Sequence, residues 1–156
     1  MINLSQFKIK VKNLFSNEKL PPVLKEDNVY YVFDKYKIVK EQGRFALYRS
    51  ETFVNYVNKS STAMSWCLAN KSQNWQLAHD LIYYDNQIES KKFDMDIHKQ
   101  MAKKVDNDDD RNLHYDLYVE SLNRLKQFER NLQKSVNLAK YNKIKDFQNE
   151  SNRIIT

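Results

Sequence analysis

VYYVFDKYKIVKEQGRFALYRSETFVNYV, residues 29–57, is the stretch that decides the fold. Within it VYYVF, YKIVKE, RFALYR and TFVNYV are β-branched and aromatic runs, which suit a pleated, half-buried surface. The only glycine of the chain, Gly43, falls in Glu41-Gln42-Gly43-Arg44 between two of these runs. A two-residue hairpin turn needs positive φ, which glycine adopts without steric penalty. Ser50-Glu51 marks a second tight turn, and Asp34-Lys35 a turn or a bulge. The pattern predicts an antiparallel sheet of three to four strands.

C-terminal to it, NKSSTAMSWCLANK (residues 58–71) starts a helix. Ser60 or Ser61 can accept a backbone hydrogen bond as N-cap. Met64, Cys67 and Leu68 then share one face, with Ala63 at its edge, and that face would cover one side of the sheet. Such a β-β-β-α unit buries proportionally little surface and needs support from the rest of the chain. Residues 74–104 carry a 4–3 repeat of Leu77, Leu81, Tyr84, Ile88, Met95 and Ala102, with Lys91 and His98 in two inner slots. Residues 110–150 carry a second stripe of Leu117, Ser121, Leu125, Phe128, Leu132, Val136 and Ala139. Asp109 or Asp110 suits the N-cap of this second helix. A short polar loop between two long helices predicts an antiparallel, coiled-coil-like helical hairpin.

On the N-terminal side, SNEKLPPVLKEDN (residues 16–28) reads as a Pro-containing linker, because Pro21-Pro22 sits in neither a helix interior nor a central strand. Residues 1–15 fit both a short amphipathic helix (Leu4, Phe7, Val11, Leu14) and strand alternation, with the helix preferred. The expected organisation is therefore an N-terminal segment and linker (1–28), a small β-β-β-α domain (29–71) and a helical hairpin (72–156). The fold class is α+β.

Composition agrees. One Gly and two Pro in 156 residues leave little material for the many tight turns of a sandwich, barrel or doubly wound sheet. Ten Tyr, eight Phe and two Trp argue against disorder. No 18-residue apolar run exists to span a membrane. The N-terminus lacks the apolar stretch of a secretory signal, so a cytoplasmic protein is expected.

The chemistry motifs fail one by one. Asp106, Asp108 and Asp110 imitate the start of a calcium loop, but the sixth position is Arg111 where glycine is needed and the twelfth is Leu117 where glutamate is needed. His79, His98 and His114 have no metal-ligand spacing. Cys67 reads as a buried apolar residue, and a single cysteine forms neither an internal disulfide nor a multi-cysteine zinc site. A glycine-rich phosphate loop is impossible with one glycine. No catalytic residue, metal or cofactor is therefore expected, and an enzyme is not.

Two binding surfaces remain. Leu81, Ile88, Leu125, Phe128 and Leu132 form apolar stripes that would carry assembly with a second copy or another protein. The second surface follows from charge. Residues 1–71 hold 12 Lys/Arg against 6 Asp/Glu, whereas residues 72–156 hold 14 of each, so the whole net charge of +6 lies in the first half. The β region carries Lys35, Lys37, Lys40, Arg44, Arg49 and Lys59 among Tyr30, Tyr31, Tyr36, Phe45, Tyr48 and Tyr56. Such a sheet can pair phosphate contacts with base stacking. Lys35, Lys37, Lys40, Arg44, Arg49, Tyr36 and Tyr48 are the nucleic-acid candidates. An amphipathic N-terminus docking on an anionic membrane is a third and weaker reading.

GRFALYRSETFVNYVNKSSTAMSWCLANK, residues 43–71, resembles a pattern in small uncharacterised proteins of marine T4-like phages, in which two strands are followed by a helix closing with a Trp-Cys pair. The resemblance implies a virus-encoded accessory or structural protein, placed in the host cytoplasm or the virion. It carries no catalytic motif. The reading that assembly through the hairpin represents is a non-enzymatic interaction or structural module; the alternative is a nucleic-acid-binding module built on the basic, aromatic sheet.

Overall fold

The computed structural model describes residues 23–33 and 35–155, with side chains described for 27–33 and 35–141. The amphipathic reading of residues 1–15 lies outside the described residues. The chain forms a five-stranded antiparallel meander followed by three helices, which is an α+β fold. The strands are β1 (Val23–Glu26), β2 (Val29–Val32), β3 (Tyr36–Glu41), β4 (Arg44–Arg49) and β5 (Thr52–Val57), paired in chain order. The strand beyond the expected three to four is β1, inside the segment read as linker. Pro21-Pro22 ends just before it, so neither proline breaks its ladder with β2.

The turns follow local chemistry. Gln42 and Gly43 have φ of 48° and 80°, the paired positive values of the tight turn between β3 and β4. Ser50 and Glu51 repeat this with φ of 48° and 68°, at a cost that glycine would avoid. Between β4 and β5 the register slips: Leu47 faces Asn55 while Tyr48 faces Phe53, leaving Val54 as an extra residue. A bulge of this kind turns the strand and re-aims its side chains.

One sheet face is apolar and covered. Tyr30, Val32, Tyr36, Ile38, Phe45, Leu47 and Val57 are all buried. Helix α1 (Ser60–Lys71) lies on this face, and α2 (Trp75–Lys104) and α3 (Asp108–Ile155) pack on α1 from the other side. Residues 62–70 of α1 are buried without a break. The sequence suggested one covering face; the helix is in fact a middle layer. Its small residues Thr62, Ala63, Ser65 and Ala69 permit close approach, and a helix without a charged face can be enclosed on all sides.

The start of α1 also differs from expectation. Lys59 is the N-cap, with no side-chain cap of its own. The buried carboxylate of Asp85, on α2, holds the chain where it enters the helix: it takes hydrogen bonds from the Asn58 backbone N–H (2.7 Å), Asn58 Nδ2 (2.9 Å) and the Lys59 backbone N–H (3.3 Å). At the other end of α1, Asn70 Oδ1 accepts from the Arg49 guanidinium of β4, and Asn70 Nδ2 donates to the Trp66 carbonyl. The guanidinium also sits between Trp66 and Trp75, 5.7 and 5.4 Å from their ring centres. Both ends of α1 are thus held by other elements.

The hairpin helices are capped locally. Asn74 accepts from the Leu77 N–H at the start of α2. Asn107 accepts from the Asp109 and Asp110 N–H groups at the start of α3, so Asn107 caps where Asp109 or Asp110 was expected. All three aspartates then lie in the first turn, where negative charge complements the helix dipole. The seam is in heptad register. Tyr84 meets Phe128 and His98 meets His114; from 84 to 98 and from 128 to 114 are both fourteen positions, two heptads. The core runs unbroken across residue 71: the sheet face, α1 and the sheet-proximal half of the hairpin form one buried cluster.

Candidate functional site

The assembly stripe is already occupied within the chain. Leu81, Ile88, Leu125 and Leu132 are buried in the core cluster, and Phe128 packs against it beside Tyr83 and Tyr84. Their burial comes from α1 and from each other. Closing the hairpin over α1 buries four of these five side chains within the chain and leaves Phe128 half-buried, so the surface they offer another molecule is small.

The basic aromatic set divides by strand parity. Tyr36 is buried beneath the sheet, in edge-to-face contact with Trp66 at 5.6 Å, and Tyr30 and Phe45 are core residues. Burial pushes the phenols of Tyr30 and Tyr36 above their ordinary range, with smaller contributions at Tyr36 that partly oppose. Arg49 shares the covered side and is engaged by Asn70, Trp66 and Trp75. Lys40 has the same parity at the end of β3 and is half-buried. Tyr36 is thus withdrawn by burial, and Arg49, though exposed, lies on the other side from the candidate face, because a strand sends alternate side chains to opposite faces. Lys35 is exposed in the turn before β3.

The opposite face holds the other half of the set. Across β2, β3, β4 and β5 the partners Tyr31, Lys37, Tyr48 and Phe53 form one row. Val29, Val39, Ala46 and Tyr56 form the next. Lys37 Nζ lies 4.5 Å from the Tyr48 ring centre and donates to Glu51 Oε2 at 2.8 Å. That hydrogen bond is the main cause that holds the ammonium above its ordinary pKa range, so Lys37 stays charged. Arg44 lies over the Tyr56 ring at 3.6 Å. Tyr48 and Phe53 meet edge-on at 5.6 Å, and Phe53 and Tyr56 approach to 5.0 Å. Among the described residues this face is partly accessible: Tyr31, Lys37, Tyr48 and Tyr56 are half-buried, Ala46 is buried, and Phe53 is 46% exposed. A hollow of about 330 Å³, lined by Tyr31, Lys35, Tyr36, Lys37, Ser50 and Glu51, opens at one end of it.

Phe53 was missed in the sequence because regular alternation puts residues 53 and 56 on opposite faces. The bulge at Val54 brings both to the same one. Tyr31 could have been found: it alternates with Tyr30 and Val32, the two apolar-side positions of its strand.

Cys67 is fully buried, and burial pushes its thiol far above the ordinary cysteine range, the opposite of a reactive nucleophile. Among the described residues no group of three or more His, Cys, Asp or Glu could hold a metal ion. No helix among the described residues is long and apolar enough to cross a membrane. No family model, curated protein or solved structure matches the chain.

Proposed function

We propose that the protein is a non-enzymatic binding module that takes single-stranded nucleic acid on the sheet face opposite α1, with α1 and the hairpin as the scaffold beneath. One observation carries this reading: Tyr31, Tyr48, Phe53 and Tyr56 share one sheet face with Lys37 and Arg44, opposite the face that α1 covers. Rings on a flat sheet offer stacking platforms to bases, and neighbouring cations meet the phosphates. The surplus positive charge of residues 1–71 favours an anionic partner on the same side of the chain.

The test is anisotropy of a labelled 12-nucleotide single strand, DNA and RNA in parallel, over a salt series. Tyr48→Ala with Phe53→Ala should weaken binding at least tenfold, since a stacked base is worth about 1–3 kcal/mol. Lys37→Glu with Arg44→Glu should weaken it further and flatten the salt dependence, each lost phosphate contact lowering the slope by about 0.7. Absence of binding at low salt, or equal affinity of all variants, would sink the reading.

A second reading, assembly through the hairpin, is favoured by different residues from those expected. Phe93, Ile97 and Met101 follow one another at i, i+4 spacing along α2 and are 66%, 40% and 41% exposed. Under this reading light scattering of the intact chain gives a multiple of 18.8 kDa, and Phe93→Lys with Ile97→Lys returns it to the monomer mass. A monomer in the unsubstituted chain excludes it.

A further inference from the structure

The seam of the hairpin changes character along its length. Near the sheet its slots are Leu77, Leu81, Ile88, Leu125 and Leu132, all buried. Toward the 105–107 loop Lys91, Ser121 and the pair His98 and His114 stand among Met95, Ala102 and Leu117. Two imidazoles face each other where a coiled-coil seam ordinarily places apolar side chains.

Their geometry has a specific character. The two Nδ1 atoms are 3.4 Å apart, with ring centres at 5.7 Å and ring planes inclined by 31°. Nitrogen donors and acceptors in good hydrogen bonds sit closer, at about 2.9–3.0 Å. Two nitrogens each about 2.0–2.1 Å from one tetrahedral ion are necessarily about 3.3–3.4 Å apart. The observed spacing is at the long end for a shared proton and matches the spacing of two ligands on one metal.

We propose that His98 and His114 form a two-histidine chelate for a divalent transition ion of the Zn²⁺ class, clipping α2 to α3 in the far half of the hairpin. Imidazole nitrogen suits zinc, copper or nickel, whereas magnesium and calcium prefer oxygen ligands. Both rings are half-buried, so an ion can reach them from solvent. No third protein ligand stands near among the described residues, so the site is open, with its other positions left to water or an external ligand. Neighbouring charges do not block it. Asp94, one turn before His98, is paired with Lys91. Arg111, one turn before His114, is held by Asp108 and the Val105 carbonyl. The site lies far along the seam from the sheet face and does not rest on the nucleic-acid reading.

The experiment is a thermal melt of the full chain at pH 7.5, with EDTA, Mg²⁺ or Zn²⁺, joined to NMR of the imidazole ring protons. The chain has three histidines, so these signals are few. Zn²⁺ well above its dissociation constant should raise Tm by about 5 °C or more, as expected for a ligand bound only by the folded state. Mg²⁺ should not. Binding should saturate at one ion per chain with the light-scattering mass unchanged. His98→Ala and His114→Ala should each abolish the shift, and His79→Ala should keep it. On unsubstituted protein, Zn²⁺ should move the ring signals of His98 and His114 and leave His79 in place, which tests the site even if a variant fails to fold. No Tm shift at millimolar Zn²⁺, a shift that survives both substitutions, or movement of the His79 signals alone would overturn the proposal.

Discussion

Asp85→Ala lowers the stability of the chain by about 3 kcal/mol, the cost of leaving several buried donors without their charged acceptor. The Asp85 side chain is 1% exposed and takes three hydrogen bonds, two of them from backbone N–H groups entering α1. Removing the carboxylate therefore orphans the Asn58 and Lys59 N–H groups inside the protein, beside the positive end of a helix dipole. For a chain of this size the loss corresponds to a fall in Tm of roughly 6–12 °C. Asp85→Asn retains one acceptor oxygen and should lose about half as much. Urea unfolding followed by circular dichroism checks both. If the alanine variant melts within 2 °C of the parent, Asp85 does not anchor the entry to α1 and the coupling between the hairpin and the sheet layer lies elsewhere.

Trp66→Ala costs more, about 3–5 kcal/mol, as for other buried large aromatics. Trp66 is 1% exposed and lies in the middle layer, with Tyr36 of the sheet edge-on against it and the Arg49 guanidinium near its ring. Its loss opens a cavity between sheet and helices that Ala63 and Ala69 are too small to fill. Trp66→Phe keeps much of the apolar volume and should cost clearly less. Denaturation monitored by far-ultraviolet circular dichroism separates the three proteins without depending on tryptophan emission. Equal midpoints for the tryptophan and alanine proteins would refute the packing described for α1.

The sheet face opposite α1 shows how far sequence reasoning reaches toward a site. Lys37, Arg44 and Tyr48 were legible because basic and aromatic types alternate along β3 and β4. Tyr36 and Arg49 have the same residue types and the same local spacing, yet lie on the covered side. Parity separates them only once one strand is anchored to a core, and nothing local says which parity is buried. Phe53 required the register slip in β5, a property of the pairing between strands. His98 and His114 are sixteen positions apart on different helices, so no spacing rule joins them; the heptad register of the folded hairpin does.

Local chemistry determined the elements themselves. Gly43 set the β3–β4 turn, the β-branched and aromatic runs set the strands around it, and the 4–3 apolar repeats set two long helices joined by a polar loop. Each of those depends on dihedral preference or on periodicity within a few residues. Tertiary structure decided the rest. It made α1 a middle layer, anchored the entry to it through Asp85 on another helix, buried Leu81, Ile88, Leu125 and Leu132 within the chain, and gathered Tyr31, Tyr48, Phe53 and Tyr56 on the opposite sheet face. A periodic stripe specifies that a face seeks burial, but the hydrophobic effect has no direction, so the stripe does not say against what. That choice rests on the packing of all three layers together.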